Sequence, residues 1–82
     1  MQLREWCDGG DALRAAMRED RLSISQLAAM TALIDGYGVC KSTIGNLVST
    51  GASQRNRCTQ RTVSLIATAL GREIDKVFPR RQ

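Results

Sequence analysis

Val63, Ile66, Ala67 and Leu70 recur at intervals of three and four residues, and Gly71 follows at once. That spacing puts the four on one face of an α-helix, and a glycine just past the last of them supplies the left-handed residue on which helices commonly end. The same spacing returns at Leu13, Ala16 and Met17, at Leu27, Met30, Thr31 and Ile34, and at Ile44, Leu47 and Val48. Trp6, Tyr37 and Phe78 are the only aromatics. The core of this 82-residue chain must therefore come from Leu, Ile, Val, Met and Ala, a mixture that suits packed helices better than a sheet. No strand and no internal repeat emerges, so the expected fold is all-α: one small domain of five short helices.

Local signals set the expected boundaries. The first helix opens near Asp11, whose carboxylate can cap free N–H groups after Gly9-Gly10, and runs to about Arg21. Before it, Leu3 and Trp6 are spaced for one helical turn, with Trp6 either covering the core or serving a partner. The second helix starts with a capping box, Ser23 with Gln26, and stops at the glycines of "DGYG". A short third helix follows, with Val39 stapled onto Ile44 and Cys40 where a serine cap would stand. "STGASQRNR" reads as a polar, basic loop. Thr59 caps the fourth helix between the apolar pair Cys58 and Val63, and Ile74, Val77 and Phe78 close the core before Pro79. Residues 1–10 are then an N-terminal extension, 11–78 the domain and 79–82 a basic tail. Side chains of this size contribute roughly 1.5–3 kcal/mol each on burial, so losing Ile66 or Leu70 should unfold much of so small a domain.

Several function classes are disfavoured. No run approaches the roughly 20 apolar residues of a membrane span, and "MQLREWCDGG" lacks the apolar centre of a signal peptide, so a cytoplasmic protein with no membrane partner is expected. Cys7, Cys40 and Cys58 are scattered and there is no histidine, which signals neither a disulfide framework nor a metal site. No enzyme and no cofactor are expected: paired acids in a cleft and phosphate-cradling glycine motifs are missing. Helix starts lower thiol pKa values, yet Cys58 is more simply a staple and Cys40 a weak cap.

Charge is divided unevenly. Residues 1–40 carry four arginines against six carboxylates, whereas residues 41–82 carry eight lysines and arginines against two. No carboxylate lies between Asp35 and Glu73. Such a segment repels no polyanion, as a phosphate-facing surface requires. Within it, "VCKSTIGNLVSTG" holds a helix whose outer face is bare. Ser42, Gly45, Asn46 and Ser49 point away from the Ile44-Leu47-Val48 stripe, with Lys41 at the leading end. Ordinary solvated faces carry Glu, Lys and Arg at i, i+4, and this one does not. The DNA major groove, about 12 Å wide, admits a helix with short, neutral or basic side chains on its leading face. Asn46 can pair with adenine, Lys41 can donate to guanine and Ser42 can serve either base. Gly45 costs about 1 kcal/mol of helix stability, as fits a place where backbone closely approaches something.

"LRAAMREDRLSISQLAAMT", "GVCKSTIGNLVSTG" and "CTQRTVSLIATALGREIDKVF" together resemble the five-helix DNA-binding domain of the lambda repressor and Cro type, also called the xenobiotic-response-element family. Leu27-Ala28, Ser42-Thr43-Ile44, Ala69-Leu70-Gly71 and Val77-Phe78 carry the likeness, which spans about Leu13 to Phe78. It implies a helix-turn-helix with the second helix across the DNA backbone and the third in the major groove. Base contacts would come from Lys41, Ser42, Gly45 and Asn46. Phosphate contacts would come from Ser23, Gln26, Thr43, Ser49, Thr50, Ser53, Gln54, Arg55 and Arg57. Tyr37 either joins them or covers the core, Arg61 either joins them or is merely exposed, and Arg55 and Arg57 either pair with phosphates or enter a narrow minor groove.

The family's turn of about three or four residues is here enlarged by "ALIDGYG", as extra helix or as longer loop, with Leu33 and Ile34 expected to bury the added turn. The expected function is a repressor or Cro-like regulator of phage type that binds double-stranded operator DNA as a monomer or weak homodimer. The rival is an antitoxin-like module that binds a protein through Leu3, Trp6, Leu33 and Ile34 as well as DNA.

Overall fold

The computed structural model describes residues 3–5, 10–49 and 57–79, with 3–5 and 57 described by their backbone alone. Trp6, Thr50, Ser53, Gln54, Arg55, the Arg57 side chain and the Arg80-Arg81 tail lie outside the described residues. In chain order the elements are β1 (Leu3–Glu5), α1 (Asp11–Glu19), α2 (Ile24–Asp35), α3 (Lys41–Val48), β2 (Arg57–Thr59), α4 (Gln60–Ala69) and α5 (Ile74–Val77). α2 lies along α4, α3 packs on α1 and α2, and α5 closes against α1 and α4. Phe78, Leu13, Leu27, Ile44, Leu47 and Ile66 fill the centre, all essentially without exposure. The apolar stripes of α1, α3 and α4 are thus the core, as their periodicity requires.

Two short strands correct the purely helical expectation. Leu3, read with Trp6 as one helical turn, instead lies in β1, and Leu3–Glu5 pairs antiparallel with β2, in the register Leu3 to Thr59, Arg4 to Cys58 and Glu5 to Arg57. Three-residue strands carry no readable period. The two strands come from distant parts of the chain, and both lie against α4.

The start of α2 and both ends of α4 follow local chemistry, while one end read from the sequence does not. Ser23 Oγ accepts from Gln26 N at 3.1 Å and Gln26 Oε1 from Ser23 N at 2.8 Å, a complete capping box. Thr59 Oγ1 accepts from Thr62 N, and Cys58 packs on the core beside it. α4 ends with Gly71 at φ +66, its N–H bonded to Thr68 O and that of Arg72 to Ala67 O. α1 ends in the same motif, but with Arg21 in the left-handed position at φ +56 and Leu22 N bonded to Met17 O. The exception is the start of α1. Gly10, not Asp11, is its N-cap, and the Asp11 carboxylate pairs with Arg14 instead. Across the molecule Arg72 joins the two ends, donating to Asp20 at 2.8 Å, to Glu19 at 2.9 Å and to Leu70 O at 3.0 Å. Its guanidinium, by hydrogen bond and charge, holds the Asp20 carboxyl below the usual carboxylate range.

Residues 36–40, between α2 and α3, determine where α3 can lie. Thr31 is buried, and its hydroxyl donates to Ala28 O at 2.7 Å while accepting from Val39 N at 2.9 Å. Gly38, at φ +68, crosses α2 so closely that a Cβ there would sit 2.7 Å from Ala32 N. The chain therefore turns back over the last full turn of α2, against Thr31 and Ala32, and leaves the other face of that turn uncovered. This reverses the expectation for Leu33 and Ile34, which are 87% and 45% exposed rather than buried. Tyr37, 92% exposed, does not cover the core.

Thr31→Val keeps the side-chain volume and strands the buried Val39 N–H without an acceptor. A loss of about 1–3 kcal/mol is expected, visible in a thermal melt as roughly 4–8 °C per kcal/mol, and Thr31→Ser should recover most of it.

Candidate nucleic-acid interface

α3 is the shortest of the three central helices and carries a single charge, Lys41. Its inner face is fixed by Ile44 and Leu47, both buried, with Val48 partly buried and Val39 of the preceding turn at 6% exposure. The Val39 and Ile44 pair is the staple read from the sequence. The opposite face is left to Lys41 and Ser42, which are exposed, and to Gly45, Asn46 and Ser49, which are half-buried. Gly45 has no tight neighbour: a Cβ there would meet only Ile24 Cδ1, at 4.0 Å. Internal packing therefore does not demand a glycine, and an alanine would fit. The same distance shows that the first turn of α2 lies beside the middle of α3. Ser23 and Gln26 are exposed at that turn. With Gln26 Oε1 committed to Ser23 N, its amide nitrogen is the donor left to face outward.

At the leading end of α3, Cys40 occupies the cap position without bonding a backbone N–H through its side chain. Its sulfur lies 3.0 Å from Thr43 Oγ1 instead, so Thr43 is partly engaged. That hydroxyl, with the N–H groups of the first turn, pulls the Cys40 thiol below its ordinary value. Burial acts the opposite way on Cys58, whose pKa is pushed up to about 11.

Two other expected contacts gather elsewhere. Arg61 is paired with Asp35, at the end of α2, rather than standing free for a phosphate. Asp35 Oδ1 also accepts from Gly38 N at 2.6 Å and from Tyr37 N at 3.1 Å, which makes it the centre of the turn. The Gly38 N–H, reinforced by Arg61, holds the Asp35 carboxyl below its usual range. Tyr37 and Arg61 therefore sit about 18 Å along α2 from Ser23. Asp35, Tyr37 and Arg61 thus gather at the turn that leads into Lys41, at the end of α2 opposite Ser23.

Sequence reasoning overlooked the groups that hold α3 in place. Thr31 within an apolar face was a usable signal, since a buried hydroxyl needs partners. Asp35 ahead of two glycines was another, because an Asx residue caps such turns. Arg14, whose guanidinium reaches the end of α3, gave no local signal at all. Among the described residues no helix is long and apolar enough to cross a membrane. Comparison with models of protein families, with curated proteins and with solved structures finds no match for this chain.

The opposed thiol shifts have a direct readout. At pH 8 in the folded protein, iodoacetamide should label Cys40 at least tenfold faster than Cys58, on the order expected from thiolate fraction and exposure. Peptide mass spectrometry over time measures it, and denaturation should abolish the difference.

Proposed function

We propose that the chain is a sequence-specific regulator of transcription that binds double-stranded DNA, a repressor or Cro-like protein of the lambda repressor type, with α3 as recognition helix. The reading rests on one observation above all: a helix anchored on its apolar side whose outer face offers Lys41, Ser42, Gly45 and Asn46 and no carboxylate. A helix meant only for solvent does better with alanine at Gly45 and with charge pairs beside it. Asn46 and Lys41 supply the amide and ammonium that read adenine and guanine edges, while Ser42 accepts or donates as the base requires. Ser23 and Gln26 approach a phosphate from the start of α2, where N–H groups favour an anion. Arg55 and Arg57 add sequence-independent attraction.

The α2–α3 connection, residues 36–40, departs from the compact turn of the family, so the pose of α3 in the groove is this chain's own. Occupying an operator is enough to repress, and a two-fold operator calls for two copies, held as a weak dimer or brought together on DNA. A second reading, an antitoxin-like module, is favoured by the exposure of Leu33 and Tyr37 around the end of α2. Purification with a second protein chain and no retention of duplex would select it.

Footprinting on DNA flanking the gene for this chain should reveal a protected site. On that site Asn46→Ala should cost roughly 1–3 kcal/mol and relax preference at one base pair, whereas Arg55→Ala should weaken all duplexes alike and reduce the salt slope by about one. Identical behaviour of the two variants would refute this division of roles. Gly45→Ala separates folding from binding. It should raise the melting temperature, adding about 1 kcal/mol of stability, yet weaken the footprint.

A further inference from the structure

We propose that Arg14, on α1, is a positioning residue for α3, and that discrimination of the base pair read by Asn46 depends on it; the inference rests on the DNA-reading function above. An α-helix leaves its last four carbonyls without partners of its own. The residue that follows α3, Ser49, is extended at φ −64 and ψ 147, and does not fold the chain back over them as a left-handed glycine would. Arg14 brings a donor to that end from another helix. Its Nη1 donates to Val48 O at 2.9 Å and lies 3.4 Å from Ser49 O, while Nη2 is held by Asp11 one turn earlier on α1. A cation at this end of a helix also meets the negative pole of its dipole. Gly10 completes the seat, since a Cβ there would stand 2.4 Å from Leu47 O and 3.2 Å from Arg14 Nη1. The start of α1 and the end of α3 thus meet backbone to backbone, with the guanidinium fixing the contact. The Arg14 side chain is only 23% exposed, so these donors are aimed into the protein.

α3 is about 12 Å long. It is pinned at its start through Val39 and Thr31, and at its end through Arg14. With the second pin removed, the helix pivots about the first. A drift of 1 Å at the far end tilts it by about 5°. Asn46, two residues from that end, moves with the drift, whereas Lys41 and Ser42 stay near the pivot. Asp11 offsets the charge of Arg14, so the arginine adds little long-range attraction for a polyanion. Its loss therefore carries a signature unlike that of a phosphate-binding arginine.

The test begins by enriching duplexes from a randomised library with the wild-type chain. Binding of Arg14→Met and Arg14→Lys is then measured across salt concentrations on the enriched duplex, on single-base variants of it, and on a random duplex. Arg14→Met should lose roughly tenfold on the enriched duplex and less than about twofold on the random one, with an unchanged salt slope. Preference at the base pair to which Asn46→Ala is indifferent should flatten, while the other preferences persist, and Arg14→Lys should restore part of the loss. Melting curves establish that each variant is folded at the assay temperature. Should Arg14→Met fail that check, Asp11→Asn, which loosens the guanidinium without removing it, carries the same comparison. Equal weakening of both duplexes with a shallower salt slope would make Arg14 a phosphate contact and overturn the proposal. Unchanged discrimination would also overturn it and leave the DNA-reading function standing. If the wild-type chain enriches no sequence, that function falls, and this inference with it, before any variant is made.

Discussion

One hydroxyl decides how the two central helices face each other. Thr31 Oγ1 is buried, and by bonding both Ala28 O and Val39 N it ties the segment entering α3 to the third turn of α2. A buried polar group without partners is costly, so few other routes for residues 36–40 are open. Gly38 makes the same route sterically possible by passing over Ala32 without a side chain. Asp35 gathers the N–H groups of Tyr37 and Gly38. The direction of α3 is thus set by polar bonds in its approach, and its depth by the burial of Ile44 and Leu47.

This matters because α3 is too short to be stable alone. Helices of eight residues do not persist in water, and their order comes from what they pack on. Here both ends and one face are committed to the domain, so the outer face is held still without any interaction of its own. A surface ordered in advance gives up less conformational entropy when it binds. On the reading proposed above, Lys41, Ser42, Gly45 and Asn46 would serve recognition, since Ile44 and Leu47 already anchor the helix.

Much of this organisation was legible in the sequence because it is local. The Ser23 and Gln26 box, the Thr59 cap, the ending at Gly71 and the stripes of α1 and α4 involve residues within a few positions of one another, and short-range spacing records them. The pairing of β1 with β2, the clamp of Arg72 on Glu19 and Asp20, the pair Arg61–Asp35 and the reach of Arg14 to Val48 join residues distant along the chain. Spacing cannot record those. The candidate face on α3 was readable from its missing charges, while the placement of Arg61 was not, because its neutralising partner belongs to another helix. Leu33 and Ile34 misled for a different reason: apolar character reports a preference for burial, and the turn back at Thr31 left nothing to bury them.

The end of α2 has an evolutionary side. Its backbone is held by Asp35, Gly38 and Thr31, none of which uses the side chains of Leu33, Ile34 or Tyr37. Leu33 and Tyr37 are almost wholly exposed, and substitutions at such places usually alter stability little. The tip therefore behaves as a permissive handle on an otherwise constrained scaffold. A fluorophore or an epitope can be installed there, and lineages of such a domain can drift there, without disturbing the helices that the rest of the sequence is obliged to maintain.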